Sequence, residues 1–233
     1  MDLIQVRETA FLLPFATLLA VIPLGCGGGG EGIPGPFQLE ATAEVVRRGD
    51  DEPFVTRISW WFERPGRWRW ELSNDDGLIT GVSDGEYWWF YESDDKTYRR
   101  EHPPEGVDQP FLPVSIQIGP LQEASIDAYI DTHIARADDA WARRAGEERL
   151  LGRDVTVVEY GPTGRVTSNG SERGTGEGRV WIDPKTMFIL RHEVNGVEEQ
   201  AATITVTLLE LDIDFPAGLF EFEPPEGSRR VDE

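Results

Sequence analysis

Cysteine is almost missing from this chain: Cys26 is the only one in 233 residues, so no disulfide can close within it. Lysine is nearly as scarce, with Lys96 and Lys185 alone, and arginine supplies the rest of the basic charge. Only 22 Lys and Arg stand against 43 Asp and Glu, giving a formal net charge of −21 and a pI near 4.5. A chain so poor in positive charge has no footprint for nucleic acid and no electrostatic hold on anionic lipid head groups. Its three histidines, His102, His133 and His192, are scattered, and no Cys or His pair has zinc-finger spacing. The acidic doublets Asp50-Asp51, Asp75-Asp76, Asp94-Asp95 and Asp138-Asp139 lack the spacing of a calcium loop and read as solvated turns. Neither a metal nor a cofactor is expected. No apolar run is long enough to span a bilayer: Ala10 to Leu24 is broken by Pro14 and Pro23.

That short run has the length of a signal-peptide core, and it stops at Pro23-Leu24-Gly25-Cys26, followed by a glycine run. The stretch resembles a bacterial lipobox, in which the cysteine is diacylated and becomes the first residue after cleavage. It departs from that pattern in carrying Pro23 three residues before the cysteine and a single basic residue, Arg7, ahead of the core. The alternatives are an ordinary secretory signal with an incidental Cys26, or a buried cysteine. The expected division is a signal peptide over 1–25, a lipidated Cys26 with a Gly/Pro tether over 26–36, and one folded domain over 37–233. A tether of that length reaches only about 15–20 Å, so an acylated Cys26 would hold the domain close to a membrane. With 39% hydrophobic and 10% aromatic residues, the chain suits one well-buried domain and is tight for two.

Six of the eight tryptophans fall between Ile58 and Tyr91, in three aromatic and β-branched runs. Arg64-Pro65-Gly66, Asn74-Asp75-Asp76-Gly77 and Asp84-Gly85 punctuate them, which predicts consecutive antiparallel strands joined by tight hairpins. Alternation puts Trp68, Trp70 and Leu72 on one face of the middle strand. The doublets Trp60-Trp61 and Trp88-Trp89 place a ring on both faces of theirs, so both faces need a cover. A first strand precedes them at Leu39 to Val45. Further strands are expected at Lys96–Glu101, 140–147, Val155–Tyr160, Gly178–Asp183, Met187–Val194 and Ala202–Ile213, with Gly161 to Thr175 a loop. One helix is expected: Ile126, Tyr129, Ile130, His133, Ile134 and Ala137 recur at helical spacing behind Ser125 as N-cap. His133, on its apolar face, reads as a core histidine. The Pro-rich stretch before it, from His102 to Pro120, carries Phe111, Leu112, Val114, Ile116 and Ile118 and is expected to cover something.

Rings such as Ile58 to Tyr91 supply either form a core or line a cavity. The candidate ligand wall is Ile58, Trp60, Phe62, Trp68, Trp70 and Leu72, with Tyr87, Trp89 and Tyr91 beside them. Apolar walls with few polar anchors suit a lipid, since each buried methylene contributes about 0.8 kcal/mol with little geometric demand. The candidate lid is Phe111, Leu112, Val114, Ile116, Ile118, Ile126, Tyr129 and Ile130. Exposed tryptophans would instead suit a sugar-binding module. Gly81-Val82-Ser83-Asp84-Gly85 matches the hydrolase pattern G-x-S-x-G, but it runs from strand to strand, where that pattern needs a strand-to-helix elbow. No enzymatic activity is expected.

The order of three segments resembles the LolA-like family of bacterial lipoprotein carriers and lipid-binding lipoproteins, which includes LolA, LolB, RseB and the mycobacterial LppX/LprG group. They are Asp84-Gly85-Glu86-Tyr87-Trp88-Trp89-Phe90-Tyr91, then Val180-Trp181-Ile182-Asp183-Pro184-Lys185-Thr186, and the closing Phe220-Glu221-Phe222-Glu223-Pro224-Pro225-Glu226-Gly227. The resemblance covers about Phe37 to Val231. It implies a mainly β fold: a curved antiparallel sheet forming an unclosed half-barrel, with helix and loop covering the concave face. It further implies a lipid or an acylated protein as partner, bound by its acyl chains for carriage or transfer in the cell envelope. An RseB-like envelope-stress sensor, with a regulatory protein partner, is the second function the family offers. LolA itself is soluble, so a lipidated chain is more similar to the LolB, LppX or LprG branch.

Overall fold

A computed structural model describes residues 35–46, 52–103, 118–134, 140–161, 166–168, 171–173, 176–197 and 200–231. Fifteen strands occur among them. The first six are β1 (Phe37–Val46), β2 (Phe54–Glu63), β3 (Arg67–Ser73), β4 (Leu78–Asp84), β5 (Trp88–Glu92) and β6 (Thr97–Glu101). After the two-residue β7 (Gly119–Pro120) come a short helix α1 (Ile126–Tyr129) and a wider π-turn, Ile130–Ile134. The rest are β8 (Trp141–Leu150), β9 (Arg153–Gly161), β10 (Val166–Ser168), β11 (Ser171–Arg173), β12 (Glu177–Asp183), β13 (Phe188–Val197), β14 (Gln200–Leu211) and β15 (Arg229–Arg230). Thirteen of them form one sheet, ordered β15-β6-β5-β4-β3-β2-β1-β14-β13-β12-β9-β8, with β7 added beside β13. The two end strands do not pair with each other, so the sheet is an unclosed half-barrel, as expected.

The turns are built by the residues that mark them in the sequence. Asn74 Oδ1 accepts from the amides of Asp76 (2.9 Å) and Gly77 (3.0 Å), closing the β3–β4 hairpin. Asp84 Oδ1 does the same for Glu86 and Tyr87, both at 2.8 Å, while Gly85 takes the left-handed φ of 97° that the turn requires. Asp183 closes β12–β13: its carboxylate accepts from the Lys185 amide (2.9 Å), the Thr186 hydroxyl (2.8 Å) and Arg153 Nη1 (3.1 Å). Burial alone would push this carboxyl up, but those three donors outweigh it and hold Asp183 below the usual carboxylate range.

Two expectations need correcting, and one strand is added. The helix is shorter and less regular than its spacing predicts: Ser125 does cap it, accepting from Ala128 N at 3.2 Å, but the α-turn ends at Tyr129. The buried residues are Ile126, Tyr129 and Ile134, and the five-residue step from Tyr129 to Ile134 suits a π-turn better than a 3.6-residue repeat. Ala137 lies outside the described residues. Part of the 161–175 stretch is not loop, because β10 and β11 pair there as a small hairpin. The C-terminus returns as β15, parallel to β6, with Arg229 N donating to Lys96 O and Val231 N to Tyr98 O, both at 2.8 Å.

Candidate functional site

The strand register lines the rings up into an inner wall. One row across six strands runs Trp88, Ser83, Trp68, Phe62, Phe37, Leu211. The next runs Phe90, Gly81, Trp70, Trp60, Leu39, Leu209, and a third runs Ile79, Leu72, Ile58, Ala41, Val206 across five. The candidate wall residues Ile58, Trp60, Phe62, Trp68, Trp70 and Leu72 all fall in these rows and are at most 5% exposed. Burying side chains of this kind contributes about 1.5–3 kcal/mol each, so the wall is also the main core of the domain. Phe37 packs edge-on against Trp60 (centroids 5.1 Å apart), and Trp68 lies parallel to Trp70 at 6.4 Å. Gly81 is small because Trp70 lies on it: a Cβ there would sit 2.4 Å from Trp70 Cε2.

Tyr87, Trp89 and Tyr91 are elsewhere. Trp89 pairs with Val82, Val82 with Arg69 and Arg69 with Trp61, which puts Trp89 and Tyr91 on the outer face, opposite Trp68 and Trp70. Parity along a single run could not decide this, since Trp88 and Trp89 are equally large. The outer rings have their own cover, the closing Phe-Glu-Phe-Glu-Pro-Pro segment. Phe222 stacks on Trp89 (5.3 Å) and approaches Tyr98 (5.7 Å) and Tyr91 (6.4 Å). Arg69 Nη1 reaches Leu219 O at 3.5 Å, and Arg67 lies over the Phe220 ring. Arg100 sits between Tyr87 and Tyr87's neighbour Trp89, 4.4 and 5.3 Å from their centroids, and His102 packs on Tyr87. The signal was present in the sequence as Phe220 and Phe222, whose alternation marks one buried side.

The inner wall is covered by the segment from Ile118 to Ile134. Ile118, Ile126 and Tyr129 are buried within the same apolar cluster, and Ile130 packs at its margin. Phe111, Leu112, Val114 and Ile116 lie outside the described residues, as does Cys26. Gly119, at φ 92°, rests on Trp60: a Cβ there would lie 2.5 Å from Trp60 Cζ3. Polar ties of the cover to the sheet include the β7–β13 pairing, the bond from Leu121 N to Met187 O (2.8 Å) and the exposed pair Arg144–Asp127 (2.9 Å).

Beneath α1, on the β9–β13 half of the sheet, the inner face turns polar. Tyr160 Oη and His192 Nε2 are 2.5 Å apart, and both residues are buried. His133 pairs with Glu123 at 2.5 Å and packs against the Tyr129 ring. Burial pushes the Tyr129 and Tyr160 hydroxyls well above their ordinary range, and Tyr160 and Glu123 push Tyr129 up further. Both phenols therefore remain neutral donors at any physiological pH. Ser83 is fully buried, and its hydroxyl ties two turns together by donating to Gly66 O (2.7 Å) and accepting from Gly85 N (3.2 Å). Among the described residues no group of His, Cys, Asp or Glu is placed to hold a metal, and no helix is long and apolar enough to cross a membrane.

No family model matches the sequence, and no curated protein matches it. Solved structures that match include an uncharacterised conserved protein from Thermus thermophilus, 12% identical over 86% of this chain and 93% of that one, with a TM-score of 0.46. Pseudomonas aeruginosa MucB, solved in complex with MucA, is 14% identical over 80% of this chain, with a TM-score of 0.44, and the match spans only 56% of that chain. A LolA superfamily protein from Nitrosomonas europaea is 13% identical over 80% of this chain and 90% of that one, with a TM-score of 0.28.

Proposed function

We propose that this chain is a lipid-anchored extracytoplasmic lipoprotein that binds the acyl chains of a lipid or lipoprotein, for carriage or transfer in the cell envelope. Residues 1–25 act as the export signal, Cys26 carries the anchor, and 26–36 tether the domain. The observation that carries the reading is the inner wall: three rows of mainly aromatic and aliphatic side chains under a cover that packs on them through Ile118, Ile126 and Tyr129. Ile58, Trp60, Phe62, Trp68, Trp70 and Leu72 would touch the acyl chain once the cover lifts. A chain burying about ten methylenes would gain roughly 8 kcal/mol of gross transfer free energy, which offsets part of the contacts the cover gives up. Tyr87, Trp89 and Tyr91 take no part in this reading, because the C-terminal segment occupies their face. Of the eight tryptophans, Trp141 alone is exposed among the described residues, which disfavours the sugar-stacking alternative.

Native mass spectrometry with lipid extraction of the purified Cys26→Ser chain tests the binding. Acyl lipid is expected to co-purify; recovery of none, together with glycan binding that quenches tryptophan emission, would overturn the reading. Cys26→Ser is itself expected to release the protein from the membrane fraction, and its retention there would refute the anchor.

A further inference from the structure

The inner wall holds two donors that find no acceptor among the described residues. The indole nitrogens Nε1 of Trp60 and Trp70 are both buried, and neither has a hydrogen-bond partner among the described residues. The residues themselves are 5% and 2% exposed. A buried donor left without an acceptor costs folding free energy, so native proteins pair nearly all of them. This chain does so elsewhere: the equally buried Trp181 donates its indole N–H to Glu148 Oε2 at 2.9 Å. The two orphans are neighbours, since Trp60 and Trp70 face each other in the β2–β3 register. Phe37 and Gly119 lie against Trp60, and Trp68, Phe90 and Gly81 against Trp70.

We propose that Trp60 and Trp70 present these N–H groups to the carbonyl oxygens of ester-linked acyl groups, so that the wall selects acyl esters over alkyl chains of the same length. The inference rests on the acyl-chain reading above and adds the chemistry of the ligand's linkage. A hydrocarbon alone would fill the wall and leave both donors buried and unpaired. An ester carbonyl, apolar enough to enter yet a strong acceptor, removes that penalty without bringing in a charge. A charged head group would not fit, because the row that contains both tryptophans holds no ionised side chain to balance it. Gly119 rests on the Cζ3 edge of the Trp60 ring, so lifting the Ile118–Ile134 cover bares that edge of the indole and opens the row to a ligand.

The test is a matched pair of lipids, a dipalmitoyl glycerol diester and its dihexadecyl ether counterpart, which differ only in the carbonyls. Each competes with a fluorescent fatty-acyl probe on the Cys26→Ser chain. The diester is expected to displace the probe at roughly tenfold lower concentration than the diether. Trp60→Phe and Trp70→Phe are each expected to bring that ratio toward one. In nitrogen-15 indole spectra, the two resonances lost in those variants are expected to move with the diester and stay put with the diether. Equal displacement by both lipids in the unsubstituted chain would overturn the inference and leave acyl binding standing. That outcome decides the matter even if a variant fails to fold. Displacement by neither lipid would instead sink the acyl-chain reading itself.

Discussion

Gly81→Ala probes the packing of the inner wall at its tightest point. The added Cβ would lie 2.4, 2.5 and 2.7 Å from Trp70 Cε2, Cζ2 and Nε1, where ordinary contact begins near 3.4 Å. The ring must retreat by about 1 Å, the difference between 3.4 and 2.4. It has little room, because Trp68 lies parallel to it at 6.4 Å and Phe90 packs beside both at 6.1 and 6.4 Å. Overpacking of this kind costs about 1–3 kcal/mol. Replacing a strand glycine by alanine returns about 0.5–1 kcal/mol through the unfolded chain. The net expectation is a loss of about 1–2 kcal/mol in urea unfolding and a Tm lower by about 2–8 °C. The decisive comparison is a double-mutant cycle: in a Trp70→Val background the same Gly81→Ala change is expected to be neutral or stabilising. Equal destabilisation in both backgrounds would refute the claim that Trp70 is what keeps residue 81 a glycine.

Asp183→Asn removes the carboxylate from the β12–β13 turn and leaves Arg153 free to turn to water, so the cost should be about 1–3 kcal/mol at pH 7. Because the folded carboxyl titrates below its ordinary value of 3.8, its contribution is complete above that pH and is lost as pH falls through the folded value. The gap between the two proteins in urea unfolding should therefore hold from pH 8 to pH 5 and shrink near pH 3; a gap independent of pH would contradict the assignment. Phe222→Ala uncovers Trp89, Tyr91 and Tyr98 and should cost about 1–3 kcal/mol, with tryptophan emission shifting to the red and new binding of a hydrophobic dye. Unchanged emission would mean that the C-terminal segment does not seal the outer face.

The local grammar of this fold was readable in the sequence. Asn74, Asp84 and Asp183 make the turns that their positions announce, and Ser125 caps the helix, because such bonds span only two or three residues. The inner wall was readable strand by strand for the same reason, since alternation is a local property. What escaped were the pairings that join distant segments. Strand β1 lies beside β14, some 170 residues on by subtraction of the register partners Phe37 and Leu211, and no local signal specifies that neighbour. The side to which Trp89 faces is fixed only by the register of four strands, so Tyr87, Trp89 and Tyr91 were grouped with a wall they do not share. The π-turn came from which residues the sheet could bury, a tertiary demand that overrode the helical repeat. The unpaired indoles of Trp60 and Trp70 could not be seen at all without coordinates, because satisfaction of a donor is a property of its surroundings.

The account stands on the inner wall admitting an acyl chain. Its most direct test is the quenching of tryptophan emission by a brominated fatty acid, which acts only on rings it approaches closely. Trp60, Trp68, Trp70 and Trp88 share the inner face, while Trp89 lies on the outer one. The account predicts saturable quenching beyond that of the unbrominated acid, undiminished in Trp89→Phe. No quenching, or quenching abolished by Trp89→Phe, would contradict it.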